Sequence, residues 1–277
     1  EALTHASDLD LIFLFTGDHS AESDGDRPLG GTQYFNRLAT RMVSALSVQT
    51  AAGPLYEVDT RLRPSGAQGP MAVTTESFRK YQDENAWTWE HMALTRARPV
   101  YGSVKALDSL QSDIKAILKK QREPEKLRKE VRKMRLDIVE HKPPKGPLDT
   151  KLMEGGLVDW EFIVHFLQLK TGDALYPHLG RAARGLSEAK LLNEKLVEAH
   201  ELMTRLLVAL RLMSPDCDYP PEASRELIAK AAGQQNWDAL LDGYATARQS
   251  VIEEWNRHLR PDPIAPVAQF QDFWSVP

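Results

Sequence analysis

The chain changes character near residue 103, and that change limits the architectures open to it. Before it, short runs with strand spacing alternate with helical segments. After it, nearly every segment carries apolar residues at helical period. Such a chain reads as α+β, a small sheet with helices followed by an all-α bundle. With 277 residues and a typical domain size of roughly 100–200 residues, about two domains are expected. The division falls at residues 1–102 and 103–277. Apolar residues make up 42% of the chain, enough to bury a core rather than remain disordered.

The first expected strand is Asp8 to Phe15. Its apolar end has the composition of a buried strand, yet it opens with two carboxylates two residues apart. Asp8 and Asp10 then project from one face, roughly 6.6 Å apart at the strand rise. Like charges at the mouth of an apolar strand repel each other and lose solvation. A shared cation removes both costs, and carboxylate oxygens suit Mg²⁺, which takes one or two carboxylates plus substrate phosphates. The alternative is a solvated strand end with Asp8 as a turn former. A polar loop from Thr16 to Gly31 follows, long enough to be mobile or functional. Thr32 is expected to cap a helix that buries Phe35, Leu38, Ala39, Met42, Val43 and Leu46.

The second expected strand, Tyr56 to Arg63, is stopped by Pro64-Ser65-Gly66. Period two places Glu57, Asp59, Arg61 and Arg63 on one ionisable face. If this strand lies beside the first, Asp59 joins Asp8 and Asp10, and three carboxylates can hold two metals roughly 3.5–4 Å apart. Arg61 and Arg63 suit phosphate, because a guanidinium binds oxyanions as a bidentate fork. Taken alone, the same face reads as a water-facing strand with weak ion pairs.

Ser77–Gln82 and Trp87–Leu94 read as short helices, with Trp87, Trp89, Glu90 and His91 forming an aromatic cluster expected in the core. Arg96–Tyr101 reads as an edge strand because of Pro99. Further on, Leu127, Val131, Met134 and Ile138 form one helical stripe. Pro143–Pro147 is a linker, Gly156–Lys170 a strongly apolar helix, Leu192–Met213 a long stripe and Ala239–Leu259 another helix. Gly155-Gly156, with Lys151 before it and Asp159 and Glu161 after it, admits an anion site at the helix start or a glycine turn with acids complementing the dipole. The basic run from Lys126 to Arg135 is interleaved with acids and reads as a solvated helix face, with Arg132 or Arg135 available to a phosphate. His165 reads as a satisfied core histidine.

Lys and Arg total 35 against 39 Asp and Glu, a net charge of −4, which argues against a nucleic-acid coat. A single cysteine, Cys217, excludes an internal disulfide and a cysteine zinc cluster. The longest apolar runs are far short of the roughly 20 residues that span a bilayer. The start Glu1-Ala2-Leu3 lacks the basic-then-apolar order of a signal peptide and an initiator Met. The expectation is an internal piece of a larger cytoplasmic protein.

Four strings occur in order: Ser7-Asp8-Leu9-Asp10-Leu11-Ile12-Phe13, Tyr56 to Gly66, Ala86-Trp87-Thr88-Trp89-Glu90-His91, and Gly155-Gly156-Leu157-Val158-Asp159-Trp160-Glu161-Phe162. Together they resemble the bacterial glutamine synthetase adenylyltransferase (glutamate–ammonia ligase adenylyltransferase) family over roughly residues 1 to 170. The spelling resembles its C-terminal, AMP-attaching module. The resemblance implies a DNA-polymerase-β-like nucleotidyltransferase domain, here lacking the upstream Gly-Ser phosphate-binding turn, followed by a helical bundle. It implies Asp8, Asp10 and Asp59 as catalytic metal ligands for Mg²⁺; Ser7, Arg61 and Arg63 are the residues expected to bind ATP. The expected reaction is attack of a glutamine synthetase tyrosine hydroxyl on the α-phosphorus, with pyrophosphate leaving. The partners implied are glutamine synthetase, and a PII-type signal protein and glutamine as regulators, with neither nucleic acid nor membrane. The competing expectations are the phosphorolytic, AMP-removing module of the same enzyme, a non-catalytic interaction module, and a nucleotidyltransferase acting on RNA ends.

Overall fold

A computed structural model describes residues 7–17 and 21–260. The Glu1-Ala2-Leu3 start and the Asp18–Ser20 part of the first loop lie outside these residues. The elements in order are β1 (Asp8–Asp10), β2 (Phe13–Phe15), α1 (Gly31–Ser47), β3 (Glu57–Asp59), β4 (Ala72–Thr74), α2 (Thr75–Glu84) and α3 (Thr88–Leu94). Helices α4 (Val104–Leu118), α5 (Pro124–His141), α6 (Leu157–Thr171), α7 (Leu179–Glu188), α8 (Lys195–Met213), α9 (Glu222–Ala231) and α10 (Trp237–Leu259) complete the described chain. The arrangement is mixed α and β, mostly helical.

The single strand expected over Asp8–Phe15 is two strands with different partners. β1 pairs in parallel with β3, and β2 pairs in parallel with β4. Leu11 N–H donates to Asp59 C=O at 2.8 Å as the last bond on the β3 side. There the chain leaves one partner for the other. Helix α1 packs against both β3 and β4, the crossover that parallel pairing requires. Strand β4 is not among the expected elements, because a three-residue strand offers too little alternation to register.

Other expectations need correction. The strand over Tyr56–Arg63 is only Glu57–Asp59, because Asp59 Oδ1 accepts the Arg61 N–H at 2.8 Å and closes an Asx-type turn. Helix α1 is preceded by Gly30 without a side-chain cap, so Thr32 sits inside the first turn. Of its expected apolar face only Ala39 is fully buried, while Leu38 and Met42 are exposed. Arg96–Tyr101 is not a strand. Arg96 and Ala97 N–H groups turn back onto Ala93 and Leu94, and Pro99 offers no donor to a ladder. Trp87 and Trp89 are exposed, Trp87 by 71%, because α3 docks through Met92 and Leu94.

The main apolar core runs from Val73 and Phe78 through α3, α4 and α5 into α6, α8 and α10. A smaller cluster of Phe15, Ala39 and Ala72 joins β2, α1 and β4. Helix α6 is apolar all round and lies at the centre, with Trp160, Ile163, Val164 and Phe166 fully buried. Trp160 Nε1–H donates to Leu196 C=O at 2.7 Å, and its ring stacks on His200. His165 is the satisfied core histidine expected. Its Nδ1 lies 2.7 Å from Thr95 Oγ1, and burial pulls its pKa down to about 4.

At the start of α6, the turn reading of Gly155-Gly156 prevails over the anion site. The Gly155 N–H donates to Asp159 Oδ2 at 2.7 Å. Gly155 has φ +71°, and a Cβ there would collide with the Arg248 carbonyl. Asp159 in turn holds Arg135 in a buried ion pair, so Arg135 is not free for a phosphate. Removing one member of such a pair strands a buried charge. Asp159→Asn or Arg135→Met is therefore expected to cost about 3–5 kcal/mol in urea unfolding, and a loss below 1 kcal/mol, within the range of a surface pair, would refute the coupling.

Candidate functional site

The parallel register of β1 and β3 aligns Asp8 with Glu57, Leu9 with Val58 and Asp10 with Asp59. Side chains alternate across a strand and paired residues share a face, so Leu9 and Val58 take the other face and four acids take this one. One carboxylate oxygen from each of Asp8, Asp10 and Asp59 lies within 4.8 Å of the others. Asp8 and Asp10 are exposed and Asp59 is half-buried. The face opens onto a cavity of about 350 Å³ lined by Asp8, Glu57, Val58, Asp59, Thr60 and Arg61.

The electrostatics of the three carboxylates differ. Partial burial, then the neighbouring Asp8 and Asp59 charges, raise the pKa of Asp10 above its ordinary value of 3.8. Arg61 works the other way on Asp59 and holds that carboxyl below the usual range. Arg96, which forms a 3.6 Å ion pair with Glu161 on α6, adds a weaker positive field at Asp10. Hard oxygen donors clustered this way, one of them strained by its neighbours, suit a divalent cation such as Mg²⁺. A cation there would offset both the partial burial and the neighbouring charges that raise Asp10.

The remaining expected residues occupy distinct positions. Ser7 precedes β1 and is half-buried. Arg61 extends over the acidic face and lines the cavity. Arg63 is buried, because the strand ends at Asp59 and the alternation that would have shown it beside Arg61 ends with it. Its Nη1 donates to Thr60 O and Oγ1 at 2.8 Å each, and its Nε and Nη2 reach the Gly69 and Ala67 carbonyls. Arg63 thus frames the loop that follows β3, where Gly69 lets the chain pass Pro64 O at a distance no Cβ could tolerate. Glu57, Thr60 and Arg96 were not among the expected site residues. Period two placed Glu57 beside Asp59, whereas only the tertiary fold brings Arg96 near Asp10.

A raised folded-state pKa means that ionisation of Asp10 opposes folding. Asp10→Asn is expected to raise the melting temperature of the metal-free protein at neutral pH. The gain should shrink as the pH falls through the Asp10 pKa and vanish below about 3.8, the unfolded value. An Asn variant no more stable than wild type at pH 7 would contradict this reading of the cluster.

The family described as glutamate-ammonia ligase adenylyltransferase matches residues 1–113. Proteins named bifunctional glutamine synthetase adenylyltransferase/adenylyl-removing enzyme are similar along much of the chain. The one from Brucella suis biovar 1 is 44% identical over 260 residues, covering 89% of this chain and 26% of the relative. The one from Agrobacterium fabrum is 49% identical over 168 residues, 60% of this chain and 17% of the relative. The one from Bartonella quintana is 37% identical over 276 residues, 92% of this chain and 28% of the relative. The chain thus spans about a quarter of the length of these relatives. The four ordered strings, the acidic face formed by two of them and these similarities agree: residues 1–113 match the glutamate-ammonia ligase adenylyltransferase family, and most of the chain is similar to a part of these relatives.

Proposed function

We propose that this chain transfers AMP from ATP to a tyrosine hydroxyl of glutamine synthetase, as the AMP-attaching module of the larger enzyme. In this reading residues 1–102 form a DNA-polymerase-β-like nucleotidyltransferase unit and residues 103–277 its helical companion, working in the cytoplasm. The observation that carries it is the convergence of Asp8, Asp10 and Asp59 from two paired strands beside an open cavity. The bond formed joins the tyrosine oxygen to the α-phosphorus, the bond broken releases pyrophosphate, and the tyrosine gives up its proton.

Asp8, Asp10 and Asp59 are the residues that would hold Mg²⁺, which when bound neutralises phosphate charge and helps ionise a hydroxyl whose ordinary pKa is about 10. Arg61, exposed at the rim, offers a guanidinium fork to the triphosphate. Arg63 serves by holding the loop that aims Asp59 and Arg61. Ser7, which precedes β1, is assigned to the nucleotide in this reading. The net charge of −4 favours a protein over an RNA substrate. For the whole enzyme this reading implies glutamine and a PII-type signal protein as regulators.

The relatives' name also includes AMP removal, so the test has two arms. The chain with α-labelled ATP, Mg²⁺ and unmodified glutamine synthetase is expected to place label on tyrosine. The chain with phosphate and adenylylated glutamine synthetase is expected to release no ADP. ADP release without labelling would assign the removing reaction instead. Asp8→Asn and Asp10→Asn are each expected to lower transfer by at least ~10²-fold while leaving the circular dichroism spectrum unchanged. Near-wild-type transfer by either variant would refute the site.

A further inference from the structure

Arg61 contacts Asp59 in an unusual way for a residue meant for substrate. Its Nε donates to Asp59 Oδ1 at 3.0 Å and Oδ2 at 2.8 Å, its Nη2 also donates to Oδ2, and its backbone N–H donates to Oδ1 at 2.8 Å. Both oxygens of the third carboxylate are therefore covered by donors. A cation cannot use the same lone pairs while the guanidinium sits there. The Arg61 side chain is 78% exposed, against 16% for Asp59, so the cover lies on the solvent side and hangs on a flexible stem. Ion pairs that exposed are weak and exchange readily. A guanidinium fork fits phosphate oxygens as well as carboxylate oxygens. Arg63, two residues on, shows the contrast: it is buried and tied to several backbone carbonyls, so it cannot exchange.

We infer that Arg61 is a removable latch on Asp59: it keeps the third carboxylate closed to a divalent cation until a polyphosphate drawn into the cavity takes over the guanidinium. Cation uptake by the full set of three acids is thereby coupled to arrival of the nucleotide tail. The backbone N–H of Arg61 stays on Asp59 Oδ1 and keeps the carboxylate aimed when the side chain swings. Arg61 is a positioning residue in this respect, acting through Asp59. The inference rests on the reading of Asp8, Asp10 and Asp59 as a divalent-cation site.

The test is a nucleotide-free titration of the whole chain with Mn²⁺, followed by electron paramagnetic resonance of the free ion. Arg61→Gln is expected to bind Mn²⁺ roughly tenfold more tightly than wild type, since it loses both the competing ion pair and a nearby positive charge. Arg61→Lys, which keeps the charge without the fork, should fall between them. Asp59→Asn should change wild-type affinity little, because that carboxylate is already covered, but should erase the gain in the Arg61→Gln background. Equal or weaker binding by Arg61→Gln, or a gain that survives Asp59→Asn, would overturn the latch. If Mn²⁺ uptake responds to Asp8→Asn and Asp10→Asn but not to Arg61→Gln, the latch falls and the cation site stands. If uptake ignores Asp8→Asn and Asp10→Asn as well, both fall.

Discussion

Three residue pairs of parallel backbone ladder bring together the charges on which the site depends. Asp8 and Asp10 come from β1, Asp59 from β3, and the in-register pairing sets Asp10 directly beside Asp59. Partial burial of Asp10 and then the like charges beside it oppose that arrangement, and together they raise its pKa. Arg61 on Asp59 and the field of Arg96 at Asp10 offset only part of the repulsion. The surrounding structure must hold it: α1 packs on β3 and β4, and β4 continues into α2, whose Phe78 belongs to the main core. The acidic face is thus imposed on the sheet edge by packing elsewhere, a local destabilisation of the kind that clusters at functional sites.

Two arginines that look equivalent in sequence have separate duties. Arg63 is buried and anchors the loop after β3 through backbone carbonyls. Arg61 stays at the surface, pairs with Asp59 and faces the cavity. The difference arises because the strand ends at Asp59, whose carboxylate captures the Arg61 N–H. The chain then turns, and strand alternation no longer decides where side chains point. One aspartate therefore ends the strand, contributes to the acidic cluster and pairs with an exposed arginine.

The helical half supports this arrangement through α6. Its apolar circumference places it at the centre of the core, and Asp159 in its first turn fastens Arg135 of α5 and the Gly155 N–H together. Glu161, one position past Trp160, reaches Arg96 in the segment that follows α3. Because Arg96 also acts on Asp10, the same helix that organises the bundle touches the electrostatics of the sheet edge. Asp10, Arg96 and Glu161, far apart in sequence, therefore share one local environment.

Much of this was legible in advance, for physical reasons that differ by element. Long helices such as α6, α8 and α10 announce themselves because many apolar positions repeat at 3.6 residues and average out local noise. The pairing of Asp8, Asp10 and Asp59 was legible because period two puts Asp8 and Asp10 on one face of the first strand and Asp59 on the ionisable face of the second. Several features were decided only in three dimensions. These include the splitting of Asp8–Phe15 between two partners, the existence of β4, the exposure of Trp87 and Trp89, the burial of Arg63 and the approach of Arg96. Each depends on which surface another segment covers. Composition and periodicity determined that an acidic strand mouth, a second ionisable strand and a helical bundle belong to one chain. Tertiary structure alone decided which side chains meet, because ladder register and packing are set by contacts between residues far apart in sequence, which local spacing does not encode.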